Sequence, residues 1–259
     1  MKIRLDKLIV DRGHAASRER AQALILAGRV LVQDQRIDKP GTPVDDASIL
    51  RMLGDDLKFV SRGGLKLERA LDYWQIDVTG LACMDVGAST GGFTDCMLQR
   101  GAVSVLAVDT GYGQIAQKLR SDPRVSLRER CNARLLKPAE LADQQAAANL
   151  SPITFFAMDV SFISATLVLP AVIGALSTES NPWQGTVVLL IKPQFEAGRE
   201  NVGKGGIVRE PAARQFAIDR VLTAARELKA TNLEVIDSPI KGMEGNHEYL
   251  LRATFRTEN

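Results

Sequence analysis

Four charged side chains stand where a sheet could bring them together. Asp159 closes an apolar run over 153–157, in the string Asp159-Val160-Ser161-Phe162, and Lys192 closes the run over 187–191, just before Pro193. A carboxylate and an ammonium at the ends of neighbouring strands can pair, and such a pair can hold or move a proton. Lys66, just after Gly63-Gly64, and Glu248, at the head of the last apolar run, are two more candidates. A structural ion pair is the plainer role for each of them.

A second cluster lies in Met84-Asp85-Val86-Gly87-Ala88-Ser89-Thr90-Gly91-Gly92-Phe93. An apolar run that ends in a glycine turn and opens a helix brings backbone N–H groups and the helix dipole close to a polar ligand. Two nucleotide-type ligands compete for it. A dinucleotide wants G-x-G-x-x-G around its pyrophosphate, whereas this chain offers an acid, Asp85, at the head of a wider turn through Gly87, Gly91 and Gly92. In either case Asp109, after the next apolar run, would pair with an adenosine ribose. The wider turn resembles the S-adenosylmethionine site of class I methyltransferases, where the acid helps hold the methionine ammonium.

The elements that must position these residues can be read from periodicity. Apolar runs at 81–86, 103–108, 125–127, 153–157, 187–191, 233–236 and 249–255 alternate with helical stretches at 91–100, 112–120, 137–148, 164–177 and 211–229. Alternation of this kind predicts an α/β fold with a mainly parallel, seven-stranded sheet covered on both faces. Ligands of such sheets bind at the carboxyl ends of the strands.

The front of the chain differs in charge. Residues 1–36 hold eight Lys/Arg against four Asp/Glu, whereas 61–259 hold 22 of each. Leu5, Leu8, Ile9 and then Ala21, Leu24, Ile25 recur at helical spacing, with Ser17 as the second N-cap, and short strands are expected at 30–32, 44 and 49–50. The stretch RLDKLIVDRGHAASRERAQALILAGRVLVQDQRIDKPGT resembles the S4 RNA-binding domain, a small α+β module. The resemblance implies that Arg4, Arg12, Ser17, Arg18, Arg20, Gln22 and Arg29 face structured RNA, the kind of contact in which fixed arginines grip phosphates and read shape. The expected organisation is an S4-like domain over 1–58, a linker over 59–64 and a catalytic domain over 65–259.

Composition removes several classes. The net charge of +2 names no partner, so any basic surface is local. Three cysteines without C-x-x-C and two histidines, His14 and His247, speak against a disulfide framework and a zinc site. No metal is expected. No apolar run nears the ~18 residues of a membrane span, so a soluble cytoplasmic protein without membrane partners is expected. Seven Lys/Arg between Lys118 and Lys137 are a candidate RNA track, and the glycine-rich stretch 198–209 is expected to be a mobile loop and a candidate lid. Asn132 and Arg134 are candidates for the adenine.

Lys66, Asp159, Lys192 and Glu248 in this order match the K-D-K-E tetrad of FtsJ-like ribose 2′-O-methyltransferases. With SRGGLKL, DVGASTGGFTDCML, VDTGYGQ, MDVSFIS, LIKPQFEAG and GNHEYLL behind an S4-like front, the chain resembles the TlyA (hemolysin A) family of ribosomal RNA 2′-O-methyltransferases over 2–255. The resemblance implies a class I, Rossmann-like methyltransferase domain, S-adenosylmethionine as cofactor, and ribosomal RNA or a ribosomal subunit as partner. It places Asp85, Gly87, Ser89, Thr90, Gly91, Gly92, Phe93 and Asp109 around the cofactor and implies a cytidine target. Because the sequence starts directly on the S4 pattern, large-subunit RNA is the favoured substrate. A ribose hydroxyl is a poor nucleophile, so oxygen and methyl must be aligned and one proton removed. Lys192 suits the 2′-OH either as a neutral base or as a cation that steers an oxygen lone pair. A catalytically silent RNA-binding protein and a membrane-active hemolysin are the rival readings.

Overall fold

Short apolar repeats build the first of two units, Met1–Lys58 and Phe59–Asn259, in a computed structural model that describes residues 2–15, 17–26, 28–53, 58–141, 151–178, 181–242 and 245–256. In the first unit β1 (Lys2–Arg4) leads into α1 (Leu5–Asp11) and α2 (Arg18–Leu26), followed by β2 (Val30–Val32), β3 (Gln35–Arg36), β4 (Pro43–Asp45) and β5 (Leu50–Met52). The helical repeat Leu5, Leu8, Ile9, Ala21, Leu24 and Ile25 is buried with Val30, Val32 and Val44 as one core. Strand β1 pairs antiparallel with β4, and β3-β2-β5 form a separate three-stranded sheet.

The second unit begins with α3 (Gly63–Tyr73), then β6 (Ala82–Val86), α4 (Gly92–Gln99), β7 (Ser104–Val108), α5 (Gln117–Arg120) and β8 (Val125–Arg128). After a crossover come β9 (Ile153–Met158), α6 (Ala165–Leu176), β10 (Gly185–Ile191), α7 (Pro193–Glu196), α8 (Pro211–Glu227), β11 (Thr231–Asp237) and β12 (Tyr249–Phe255). The seven strands lie in the order β11-β12-β10-β9-β6-β7-β8, and β12 alone runs against its neighbours β10 and β11. Successive strand residues point to opposite faces. Accordingly Val105, Phe155 and Val188 pack in one core, and Leu106, Phe156 and Leu189 in the other. Burial on both faces is why the strands read as continuous apolar runs.

Chain order reverses between β6 and β9: the chain moves outward through β7 and β8, then returns to pair β9 with β6. A crevice at the carboxyl ends of such a pair is the usual ligand position. Asp109, Asp159 and Lys192 each follow the last residue of a strand at this edge. Because β12 is antiparallel, its first residue lies at the same edge, with Glu248 just before it.

Two expectations meet a different arrangement. Residues 59–64, set apart above as a linker, pack within the second unit: Phe59 is buried, the Val60 N–H donates to Asp95 at 2.7 Å, and α3 already starts at Gly63. Phe59 is an anchoring core side chain, and its ring fills the space beside Gly64. The stretch 198–209 folds back on itself, with a 3-10 turn at Arg199–Asn201, and the buried Asn246 ties it down. Of the helix expected over 137–148, residues 142–148 lie outside the described residues.

Candidate active site

The glycine turn is shaped by close approaches within the protein. Gly87 sits at φ +87°, where a Cβ would fall 2.6 Å from the Asp159 carbonyl oxygen. Gly91, at φ +92°, is the left-handed residue from which α4 starts. Both conformations favour glycine. Beneath the turn Asp85 is fully buried, and its Oδ2 accepts the Thr94 backbone N–H at 2.8 Å and the Thr94 hydroxyl at 2.6 Å. The second carboxylate oxygen, Oδ1, is buried with no hydrogen-bond partner among the described residues. Burial pushes the Asp85 carboxyl up to about 7, against the two Thr94 bonds, and the charges of Asp159 and Asp109 push the same way.

Asp109 is held from two sides, with the Ser89 N–H on Oδ2 at 2.8 Å and the Gly111 N–H on Oδ1 at 2.6 Å. Ser89 and Thr90 are exposed, whereas Gly91, Gly92 and Phe93 are buried. The turn thus presents its exposed rim at Ser89-Thr90 and fixes its other end in the core through Phe93.

Lys66, Asp159, Lys192 and Glu248 form one chain of charges. The Lys66 ammonium, in the first turn of α3, donates to Glu248 Oε2 at 2.6 Å and lies 3.7 Å from Asp159 Oδ2. Lys192 Nζ lies 2.6 Å from Asp159 Oδ1, a close ion pair that lacks the angle of a directed hydrogen bond, and donates to Ser161 Oγ at 2.6 Å. Lys66, Lys192 and Glu248 are buried, while the Asp159 side chain keeps 19% of its surface in water. Two ammoniums alternate with two carboxylates, so each buried charge has an opposite neighbour, as burial demands.

Several basic residues assigned to RNA also hold their own unit together. Asp6, fully buried, accepts Arg4 at 3.0 and 2.8 Å, Arg18 at 3.1 Å and Gln22 at 2.9 Å. These partners, Arg4 first, hold its carboxyl well below the usual carboxylate range, against the effect of burial. Arg12 donates to the Ser48 and Asp46 carbonyls, Arg29 donates to the Leu53 carbonyl, and Ser17 Oγ accepts the Arg20 N–H. In the basic run of the second unit, Lys118 pairs with Asp95, Arg120 with Glu129, Arg124 with Asp122 and Arg128 with Glu140. Arg130 stacks on the exposed Tyr112 ring, and Asn132 caps its own turn at Arg134.

Sequence reasoning passed over Asp6, Thr94, Ser161, Glu196 and Asn246. The buried Glu196 accepts the Ser164 hydroxyl and the Ala165 N–H, both at 2.6 Å, which stitches the loop after β9 to the segment after Lys192. Burial raises its carboxyl pKa, against these two bonds. Asn246 accepts the Val208 N–H and donates to the Gly206 carbonyl, and so anchors the segment that leads into Glu248. Thr94 sits in the first helical turn after the glycines, a position where a polar side chain is a readable signal. Ser161, Glu196 and Asn246 carry no local signal, because their partners are distant in sequence, and Asp6, two residues from Arg4, reads as an ordinary neighbouring pair.

The donor set fits S-adenosylmethionine. This cofactor carries an ammonium and a sulfonium, and three acids, Asp85, Asp109 and Asp159, stand at adjacent strand ends near enough for their charges to act on Asp85. The unpartnered Asp85 Oδ1 marks a place where positive charge or a donor is lacking. Among the described residues no group of His, Cys, Asp and Glu could hold a metal ion, and no helix is long and apolar enough to cross a membrane.

Residues 59–255 match the FtsJ-like methyltransferase family and residues 3–48 match the S4 domain. The chain is 45% identical to the Bacillus subtilis protein YqxC, over 96% of this chain and 85% of that one. It is 42% identical to the Mycobacterium tuberculosis protein named 16S/23S rRNA (cytidine-2'-O)-methyltransferase TlyA, over 98% and 91% of the two chains. A solved structure from Streptococcus thermophilus superposes with a TM-score of 0.73 at 41% identity, covering 98% of this chain and 88% of that chain.

Proposed function

The chain belongs to the TlyA (hemolysin A) family of FtsJ-like methyltransferases, and from that premise we propose that its substrate is a cytidine 2′-OH of ribosomal RNA, in the large subunit. It is an S-adenosylmethionine-dependent methyltransferase with an S4 RNA-binding domain. The observation that carries the reading is the charge chain from Ser161 through Lys192, Asp159 and Lys66 to Glu248 at the sheet edge. It borders the acids of the glycine turn. The M. tuberculosis relative is named for RNA of both subunits, so large-subunit RNA is tested against small-subunit RNA below.

When bound, the cofactor supplies an activated methyl group, which leaves alignment and one proton to the protein. Asp85, Asp109 and the turn from Gly87 through Ser89, Thr90, Gly91 and Gly92 to Phe93 would hold it, Asp85 on the side of the methionine ammonium and Asp109 on that of the adenosine ribose. Lys192 meets the ribose 2′-oxygen with Nζ, held by Asp159 and Ser161, and steers an oxygen lone pair toward the methyl. Asp159, the most water-accessible carboxylate of the tetrad, is the acceptor within reach of the released proton. Lys66, tied to Glu248, keeps Asp159 in place. On the S4 unit Arg4, Arg12, Ser17, Arg18, Arg20, Gln22 and Arg29 position the RNA backbone.

Methyl transfer from labelled S-adenosylmethionine to unmodified 50S and 30S particles, read by nucleoside mass spectrometry, tests the reading. The expected product is 2′-O-methylcytidine in 50S. Methylation of a base, or of another ribose, would overturn the assignment of the acceptor, and labelling confined to 30S that of the subunit.

A further inference from the structure

Lys192 is the tetrad member that meets the acceptor oxygen in the reading above, and this inference rests on that reading. An amine nitrogen on a four-carbon stem has three free directions besides its Cε bond, and a lysine side chain ordinarily samples many rotamers. Here one of the three directions is taken by the hydrogen bond to Ser161, and Asp159 lies beside the ammonium as a close ion-pair partner without that directionality. Asp159 Oδ1 and Ser161 Oγ each lie 2.6 Å from Nζ. The Ser161 bond therefore sets the rotation of the ammonium, and with it the direction left for a substrate atom.

Asp159 and Ser161 come from one short loop, and three features fix that loop. The Asp159 N–H donates to the Val86 carbonyl at 2.9 Å, which ties its start to β6. Phe162 adopts a left-handed conformation at φ +63°, which turns the chain sharply after Ser161 and is costly for an aromatic residue. At the far end the buried Glu196 carboxylate accepts both the Ser164 hydroxyl and the Ala165 N–H. Ser161 itself is exposed and has no packing role that would explain its place against a buried ammonium.

We propose that Ser161 is a positioning residue of the methyl transfer: its hydroxyl fixes the rotation of the Lys192 ammonium so that a direction left free points at the acceptor oxygen. Asp159 supplies the charge, and Ser161 supplies the angle. The tetrad is in this sense a set of five.

Steady-state kinetics of the full chain on the ribosomal substrate, with Ser161→Ala and Ser161→Thr, test this. Ser161→Ala is expected to lower kcat on the order of 10- to 100-fold, the size of effect seen when an orienting partner is removed. KM for RNA and the calorimetric affinity for S-adenosylmethionine stay within about twofold of wild type, since binding does not run through this hydroxyl. Ser161→Thr, which keeps the hydroxyl, restores most of kcat. An unchanged kcat in Ser161→Ala, a loss of cofactor affinity parallel to the loss of kcat, or failure of threonine to rescue would each overturn the proposal. Failure of the wild-type protein to methylate any ribose is a separate result, which would overturn the underlying reading.

Discussion

Asp6 in the first unit and Asp85 in the second are both fully buried aspartates, and their surroundings treat them in opposite ways. Asp6 is surrounded by donors from Arg4, Arg18 and Gln22, which more than offset desolvation and keep it charged. Asp85 has only Thr94 on one oxygen and other acids nearby, so burial dominates and its carboxyl is pushed up to about 7. The S4 unit spends part of its basic surface on its own integrity. The methyltransferase unit leaves an acid short of positive charge beside the glycine turn, as a site for a cationic cofactor requires.

Replacing Asp6 should produce the largest change in stability. Asp6→Ala leaves a buried gap and removes the shared acceptor of three side chains, an expected loss of about 2 kcal/mol. The loss stays below that of a fully buried pair because the Arg4 and Arg18 side chains remain 53% and 52% exposed. Hydrogen exchange should accelerate at residues 5–26 and not in β6–β12. Uniform acceleration, or none, would show that Asp6 does not organise its unit.

The two aspartates should also have opposite pH signatures. A carboxyl raised from 3.8 to about 7 in the folded state contributes stability below pH ~4 that is lost as pH rises toward 7. Asp85→Asn should therefore gain stability relative to wild type across that window. Asp6, depressed in the folded state, contributes stability above its unfolded pKa that is lost as the solution is acidified below it. Asp6→Asn should accordingly lose least relative to wild type in acid. Melting temperatures of both variants at several pH values check the signs; parallel curves would erase the contrast.

Thr94→Val sharpens the comparison with the smallest effect. It removes one of the two hydrogen bonds on Asp85 Oδ2, for about 1 kcal/mol, and should move the Asp85 titration further up. An unmoved titration would mean that the hydroxyl bond does not set the acid's charge.

What could be read from the sequence follows from how local each signal is. The seven strands and the crossover pattern were legible because strands buried on both faces are continuous apolar runs, as at Val187 to Ile191. The glycine turn was legible because its residues adjoin in sequence. The tetrad required a family resemblance, since Lys66 and Glu248 lie 182 residues apart. The run from Lys118 to Lys137 looked like free positive charge because only Asp122 and Glu129 fall within it, whereas Asp95 and Glu140, outside it, take Lys118 and Arg128. Asp6 gave no signal for a different reason: an acid two residues from Arg4, one of four acids among eight bases in residues 1–36, reads as a surface pair, and only helix packing turns it inward. Phe59 read as part of a linker because Gly63 and Gly64 nearby suggest freedom, and its ring instead occupies the space beside Gly64.

The central claim is that Lys192 acts at the ribose oxygen without holding the cofactor. Methyl transfer to ribosomal RNA by wild type and Lys192→Ala, measured beside S-adenosylmethionine affinity by calorimetry, tests it most directly. The account predicts a loss of transfer on the order of 100-fold or more, with affinity within about twofold of wild type. Transfer at the wild-type rate by Lys192→Ala, or a loss fully explained by weakened cofactor binding, would contradict it.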